Sequence, residues 1–166
     1  MDLIAINGSH STNSTTHNLA GLAVEVQGSG RVVDLATLDP AGLLGLRQND
    51  EVTELLESIP RAAVLVLVSP IYRATYSGLL KVVFDQLPQS ALRGVACVLA
   101  ATAASPAHFL ALDTGFRALV ASLDGWSVPG VVYATPTDFD EAKQPTDAVR
   151  QRMSEALQQA ARVRGG

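Results

Sequence analysis

A doubly wound α/β fold with a five-stranded parallel sheet is what this sequence predicts, on three observations. Short apolar runs alternate with amphipathic stretches along the whole chain. The runs are apolar at successive positions, as strands covered on both faces require. Polar loops with Gly, Pro, Ser and Thr follow several of the runs, where such a sheet turns into its helices.

The elements follow in order. Residues 3–7, LIAIN, form the first strand, and Leu19, Leu22, Ala23 and Val26 keep helical spacing within 15–27. GRVVDL, 30–35, is the second strand. Pro40, Gly42 and Gly45 break up 36–48, and Leu55, Leu56 and Ile59 mark a helix that Pro60 ends. AAVLVLV, 62–68, is the strongest strand signal and belongs in the centre of the sheet, and LLKVVFDQL after it is helical. GVACVLAA, 94–101, is the fourth strand. Ser105 and Pro106 read as an N-cap with proline at the first helical position, opening one helix through Leu110, Ala111, Phe116, Leu119 and Val120. VPGVVYA, 128–134, supplies the fifth strand, and Val149, Met153, Leu157 and Ala160 share one face of a last helix over 145–163. Five strands alternating with five helices make a flavodoxin-like three-layer sandwich, a single domain over 1–166.

Composition narrows the function. A net charge of -4, with scattered cations, argues against nucleic acid and anionic membranes as partners. No apolar stretch reaches the roughly 20 residues that span a bilayer, and Met1-Asp2 offers no basic leader, so a cytoplasmic protein is expected. Cys97 is the single cysteine, read as a small buried hydrophobe, and no Cys or His cluster has metal-ligand spacing.

Doubly wound sheets bind ligands beyond the C-terminal strand ends, where the strand order switches. That selects the loops 7–15, 69–78 and 102–107. The stretch NGSHSTNSTTHNL, 7–19, carries six hydroxyl side chains and no acid, lysine or arginine. A helix N-terminus offers unpaired amides and the positive end of the dipole, so residues 8–16 suit a phosphate. Gly8 permits a tight turn or close approach, and Ser9, Ser14 and Thr16 add hydroxyl donors. The same residues also suit capping and turns, and composition does not choose between the two. Position after the first strand favours phosphate. Neither a Walker A lysine nor a G-x-G-x-x-G pattern is present. Asn7 and Ser69 stand where a receiver domain would need its acids.

The second loop, SPIYRATYSGLLKVVFDQLP (69–88), together with GSHSTNSTTHNLA and AHFLALDTGFRALVASL (107–123), resembles the NADPH-dependent FMN reductase family of flavodoxin-like proteins. The likeness is greatest to the small reductases that supply reduced FMN to alkanesulfonate monooxygenases, and it covers nearly the whole chain. The resemblance implies FMN and NADPH or NADH as ligands. It also implies a homodimer or homotetramer and, as a partner, a flavin-dependent monooxygenase. Ser9, Ser14, Thr15 and Thr16 fall where the family holds the FMN phosphate. Pro70, Ile71 and Tyr72 flank the isoalloxazine ring, and Thr102, Ala103, Ala104 and Ser105 lie across from it. Ser77, Gly78 and Lys81 begin the next helix, which in the family helps form a dimer face. Hydride passes between stacked rings in such enzymes, so no side-chain acid, base or nucleophile is expected. His10, His17 and His108 accordingly read as surface or loop residues.

Three positions depart from the family pattern. Ser11 stands where many members carry Arg, ATAAS where Thr-Gly-Gly is common, and Thr114 where an aromatic residue covers the partner subunit's flavin. Two other classes stay open on the residues: a flavodoxin-like electron carrier, and a ligand-binding or interaction protein that has lost flavin chemistry. The electron carrier would need an acidic docking face, which -4 supports weakly. The binding module would rest on Ser11 and Ala103-Ala104.

Overall fold

The computed structural model describes residues 2–164. The elements run β1 (Leu3–Asn7), α1 (Thr15–Gln27), β2 (Arg31–Asp34), α2 (Pro40–Leu43), α3 (Asp50–Ser58), β3 (Val64–Pro70), α4 (Gly78–Phe84), β4 (Ala96–Thr102), α5 (Arg117–Ser122), β5 (Trp126–Ala134) and α6 (Asp147–Arg164). All five strands pair in parallel, in the order β2-β1-β3-β4-β5. This is the flavodoxin-like arrangement.

The continuous apolar runs sit where both faces are covered. Every residue of β1, β3 and β4 is buried. On one face Leu19 and Ala23 of α1 and Val149 and Met153 of α6 pack against Val66 and Val98. On the other, Val52 and Leu55 of α3, Leu80 and Val83 of α4, and Leu119 and Val120 of α5 pack against Leu65, Leu67 and Leu99. Cys97 lies fully within β4, and burial pushes its thiol up to about 12, so it stays protonated. Among the described residues no group of three His, Cys, Asp or Glu could hold a metal ion. No helix there is long and apolar enough to cross a membrane.

Three segments differ from expectation. Within 36–48 the chain forms the short α2, because Asp39 caps it through Gly42 N at 2.6 Å and Pro40 stands in its first turn. Residues 106–122 are not one helix. Ser105 does act as a cap, its hydroxyl accepting Ala107 N at 3.0 Å. Beyond it come a 3₁₀ turn over Pro106–His108, a π turn over Leu112–Phe116, and only then α5. Within the π turn Thr114 bonds back to Leu110 O at 3.0 Å, which competes with regular helix. Gly115 lets that turn press on the Thr75 side chain: a Cβ there would stand 2.8 Å from Thr75 Oγ1. Lastly, β5 starts at Trp126, and its register against β4 shifts between Cys97 and Leu99. Pro129 sits in this edge strand, where a missing donor is tolerated.

Candidate functional site

The last residues of three strands stand side by side: Pro70 beside Thr102, and Thr102 beside Ala134. Ile71 N then donates to Thr102 O at 2.8 Å and Ala103 N to Ala134 O at 3.0 Å, carrying the ladder one residue past the strands. Because β2 and β3 flank β1 on opposite sides, the winding reverses between β1 and β3, next to Pro70, and α1 starts above the reversal. A cavity of about 540 Å³ opens at this edge. Thr15 walls it from the first loop, Pro70, Ile71 and Tyr72 from the second, and Thr102, Ala103 and Ala104 from the third.

The first loop spends most of its hydroxyls on its own backbone. Asn7 Oδ1 accepts Ser9 N, Ser9 Oγ accepts Ser11 N, and Ser11 Oγ accepts Asn13 N, at 3.0–3.2 Å. Ser14 caps α1, its Oγ accepting His17 N at 3.1 Å and donating to Ser11 O at 2.9 Å. Thr16 is buried against Thr102. Of the four residues singled out here, Thr15 alone lines the cavity. Thr15 and Thr16 precede the first intrahelical bond, which Asn18 N makes to Ser14 O at 3.1 Å, so their amides lack a helical acceptor. Gly8 is close-packed against the protein itself: a Cβ there would meet Ser77 Oγ at 2.9 Å and Leu80 Cβ at 3.2 Å.

The second loop separates two tyrosines that look alike in the sequence. Tyr76 packs its ring edge-on against Phe116, centroids 5.4 Å apart, and burial raises its phenol above the ordinary value. Tyr72 keeps 49 % of its surface exposed beside His10, on the cavity wall. Between them Arg73 and Ala74 both take positive φ, 50° and 64°, in a tight turn closed by Tyr72 and Thr75. Ser69 and Ser77 brace the loop from below: Ser77 N donates to Ser69 Oγ at 2.9 Å, and Ser77 Oγ donates to Gly8 O at 2.6 Å. Lys81, on α4, pairs with Asp85 at the helix's C-terminal end.

In the third loop Ala103 and Ala104 are not among the residues with positive φ, so this backbone needs no glycine. Ser105 lies behind the wall, where its carbonyl accepts the Tyr133 hydroxyl at 2.5 Å.

A fourth segment, after β5, completes the cavity with Thr135, Pro136, Phe139, Asp140 and Lys143. Asp138 organises its base by accepting Thr135 N at 2.8 Å, Thr135 Oγ1 at 2.9 Å and Arg152 at 2.6 Å. Burial pushes the Asp138 carboxyl up, but the Thr135 amide, Arg152 and the Thr135 hydroxyl outweigh it and hold the group below its ordinary value. Sequence reasoning missed this segment. Its signal was the position after a fifth strand that must end at the same edge. Also unforeseen is the network around Asp34, which accepts Asn7 Nδ2 at 2.6 Å and faces His17 Nδ1 at 2.9 Å, tying β1, β2 and α1 together. A second, aliphatic hollow of about 430 Å³ lies between the 35–44 segment and α4.

A model of the NADPH-dependent FMN reductase family matches residues 1–140. The chain belongs to that family. It is 35% identical over 153 residues to an FMN reductase (NADPH) of Pseudomonas aeruginosa, covering 89% of this chain and 81% of that one. To the NADH-dependent FMN reductase SfnF of Pseudomonas putida it is 30% identical over 164 residues, covering 93% and 88%. Among solved structures, the apo form of the NADH:FMN oxidoreductase EmoB superposes with a TM-score of 0.88 at 36% identity, covering 98% of this chain and 89% of that one. An oxidoreductase from Corynebacterium diphtheriae gives 0.85 at 27%, covering 98% and 95%. This protein is therefore an NAD(P)H-dependent FMN reductase, and the reductase presents its cavity at the switch point its fold provides.

Proposed function

We propose that the cavity above β3, β4 and β5 receives FMN, with the phosphate toward the start of α1 and the ring between Tyr72 and Ala103-Ala104. We propose further that the reduced flavin leaves for a partner monooxygenase. One observation carries the site: residues of three separate loops, selected for flavin contact, converge on one cavity of about 540 Å³. That volume lies in the range of about 300–1,000 Å³ usual for small-molecule sites.

The wall chemistry suits the ligand. Pro70, Ile71, Ala103, Ala134, Pro136 and Phe139 give apolar carbon for a broad aromatic plane, and Thr15, Thr102 and Thr135 give polar edges. FMN, when bound, supplies the acceptor for hydride from NAD(P)H. The protein's part is to orient it: Pro70 stiffens the second loop, Tyr72 offers an exposed flat face, and the carbon walls exclude water. The amides of Thr15 and Thr16 face the anion at the positive end of α1. Association of two copies through α4 fits a hollow of about 680 Å³ beside Tyr76, Lys81 and Thr114, and light scattering tests it.

The experiment is a fluorescence-quenching titration with FMN and then riboflavin at fixed salt, followed by NADPH and NADH turnover with free FMN. At least about tenfold preference for FMN supports the phosphate assignment. Equal affinities would leave the ring site and reject the phosphate site. Binding of neither would reject the cavity.

A further inference from the structure

We propose that Lys143, at the tip of the hairpin after β5, supplies the cation that neutralises the FMN phosphate in this reductase. The inference rests on the reading that the phosphate lies toward the start of α1.

The first loop leaves a charge unanswered. Residues 7–19 contain no lysine or arginine, and Ser11 offers only a hydroxyl, already accepting Asn13 N. The helix terminus contributes roughly half a unit charge, against a phosphate that carries up to two. Among the described residues lining the cavity, Lys143 is the one cation.

Lys143 stands where that charge is needed. Its Nζ lies 3.3 Å from Asn13 O and 3.4 Å from Asn13 Oδ1, beside the residue that precedes the Ser14 cap. The backbone is docked as well: Asn18 Nδ2, from α1, donates to Lys143 O at 2.8 Å. The ammonium thus meets two long, neutral contacts and forms no ion pair with a carboxylate among the described residues. The chain's other lysine, Lys81, is paired with Asp85. Asp140, the carboxylate on the same wall, is drawn into the hairpin, its Oδ1 accepting Gln144 N at 2.8 Å.

The hairpin backbone gives an independent reason. Asp140 N donates to Gln144 O and Lys143 N to Asp140 O, both at 2.9 Å, closing a three-residue loop flanked by the Phe139–Pro145 bridge. The last residue of such a loop takes left-handed backbone, which glycine or asparagine adopts with least strain. Here it is Lys143, at φ 62°. A lysine held in glycine's conformation points to a use for the side chain. It also lies just past residue 140, where the match to the family model ends.

Flavin titration of the full chain tests the proposal with Lys143→Gln, Lys143→Arg and Lys143→Gly. Lys143→Gln should weaken FMN by about tenfold or more while riboflavin stays within about twofold, because one charge-assisted contact is lost. Lys143→Arg should restore most of the FMN preference. Lys143→Gly should melt at a higher temperature than the wild type, through relief of the turn, yet bind FMN as poorly as the glutamine variant. Unchanged FMN affinity in Lys143→Gln overturns the proposal. So does equal weakening of FMN and riboflavin, or an effect confined to the KM for NADPH against NADH. If the wild type itself does not prefer FMN to riboflavin, the phosphate reading and this inference fall together. A wild-type preference that survives in Lys143→Gln sinks the lysine alone.

Discussion

The hydroxyls of Thr16, in the first turn of α1, and Thr102, the last residue of β4, bond to each other at 2.7 Å across 86 residues of chain. Both side chains are buried. The bond joins the helix that opens the candidate phosphate site to the strand that floors the candidate ring site, so two residues expected from the sequence to face the flavin already spend their hydroxyls on each other.

Replacing either threonine by valine keeps the shape and strands the other hydroxyl. Thr16→Val or Thr102→Val should each cost about 1–3 kcal/mol, the usual penalty for a buried polar group left unpaired. The double variant should recover much of that loss, since both partners are then apolar. Urea unfolding of the four proteins measures the coupling, and simple additivity of the two losses would contradict it.

Gly8→Ala should destabilise the fold by about 1–3 kcal/mol, as overpacking does in a tight interior. The added Cβ would stand 2.9 Å from Ser77 Oγ, which is held by its bonds to Gly8 O and Leu80 N. A thermal melt reads the effect. A melting point equal to the wild type would show that α4 shifts freely.

The two tyrosines of the second loop should part company. Tyr72→Ala removes an exposed wall residue, so it should weaken FMN and riboflavin alike while the melting temperature holds. Tyr76→Ala removes the ring packed on Phe116, costing about 2–4 kcal/mol by analogy with other aromatic truncations. Melting curves beside flavin titrations separate the roles, and a Tyr72 variant that binds both flavins normally would refute its part.

Asp138 should make the fourth wall acid-sensitive. Its carboxyl titrates below the ordinary aspartate value of about 3.9 in the folded protein. Its stabilisation is therefore complete above that value and is lost as pH falls through the lower, folded one. Asp138→Asn lacks this component. The gap in melting temperature between wild type and Asp138→Asn should hold steady above about pH 5 and close below about pH 4. A gap that does not depend on pH would mean that the carboxylate charge is idle.

The alternation of β3 and β4 with amphipathic helices was legible because both strands are buried on both faces, which forces unbroken apolar runs. Loop positions at the strand ends were legible for the same reason, and with them the general place of the cavity proposed as the site. Hydrogen-bond partners were not. Nothing local distinguishes Thr15, which lines the cavity, from Thr16, which turns inward to Thr102, because the choice is made by a strand 86 residues away. Nor does sequence show that the alanines at 103 and 104 fit without strain, since that depends on backbone angles set by the neighbouring loop. The π turn at Leu112–Phe116 escaped because its apolar spacing is helical and only Thr114 and Gly115 disturb it.

The order of strands has a consequence for synthesis on the ribosome. β1 and α1 emerge first, yet β1 lies inside the sheet with α1 on its face, and the cavity that the start of α1 borders is closed by the hairpin around residue 143. A nascent chain therefore carries an incomplete pocket until its fifth strand has emerged and been laid against β4. Flavin bound in this pocket, as proposed above, would reward folding only at that last step, so stabilisation by ligand would come after translation of the domain rather than during it.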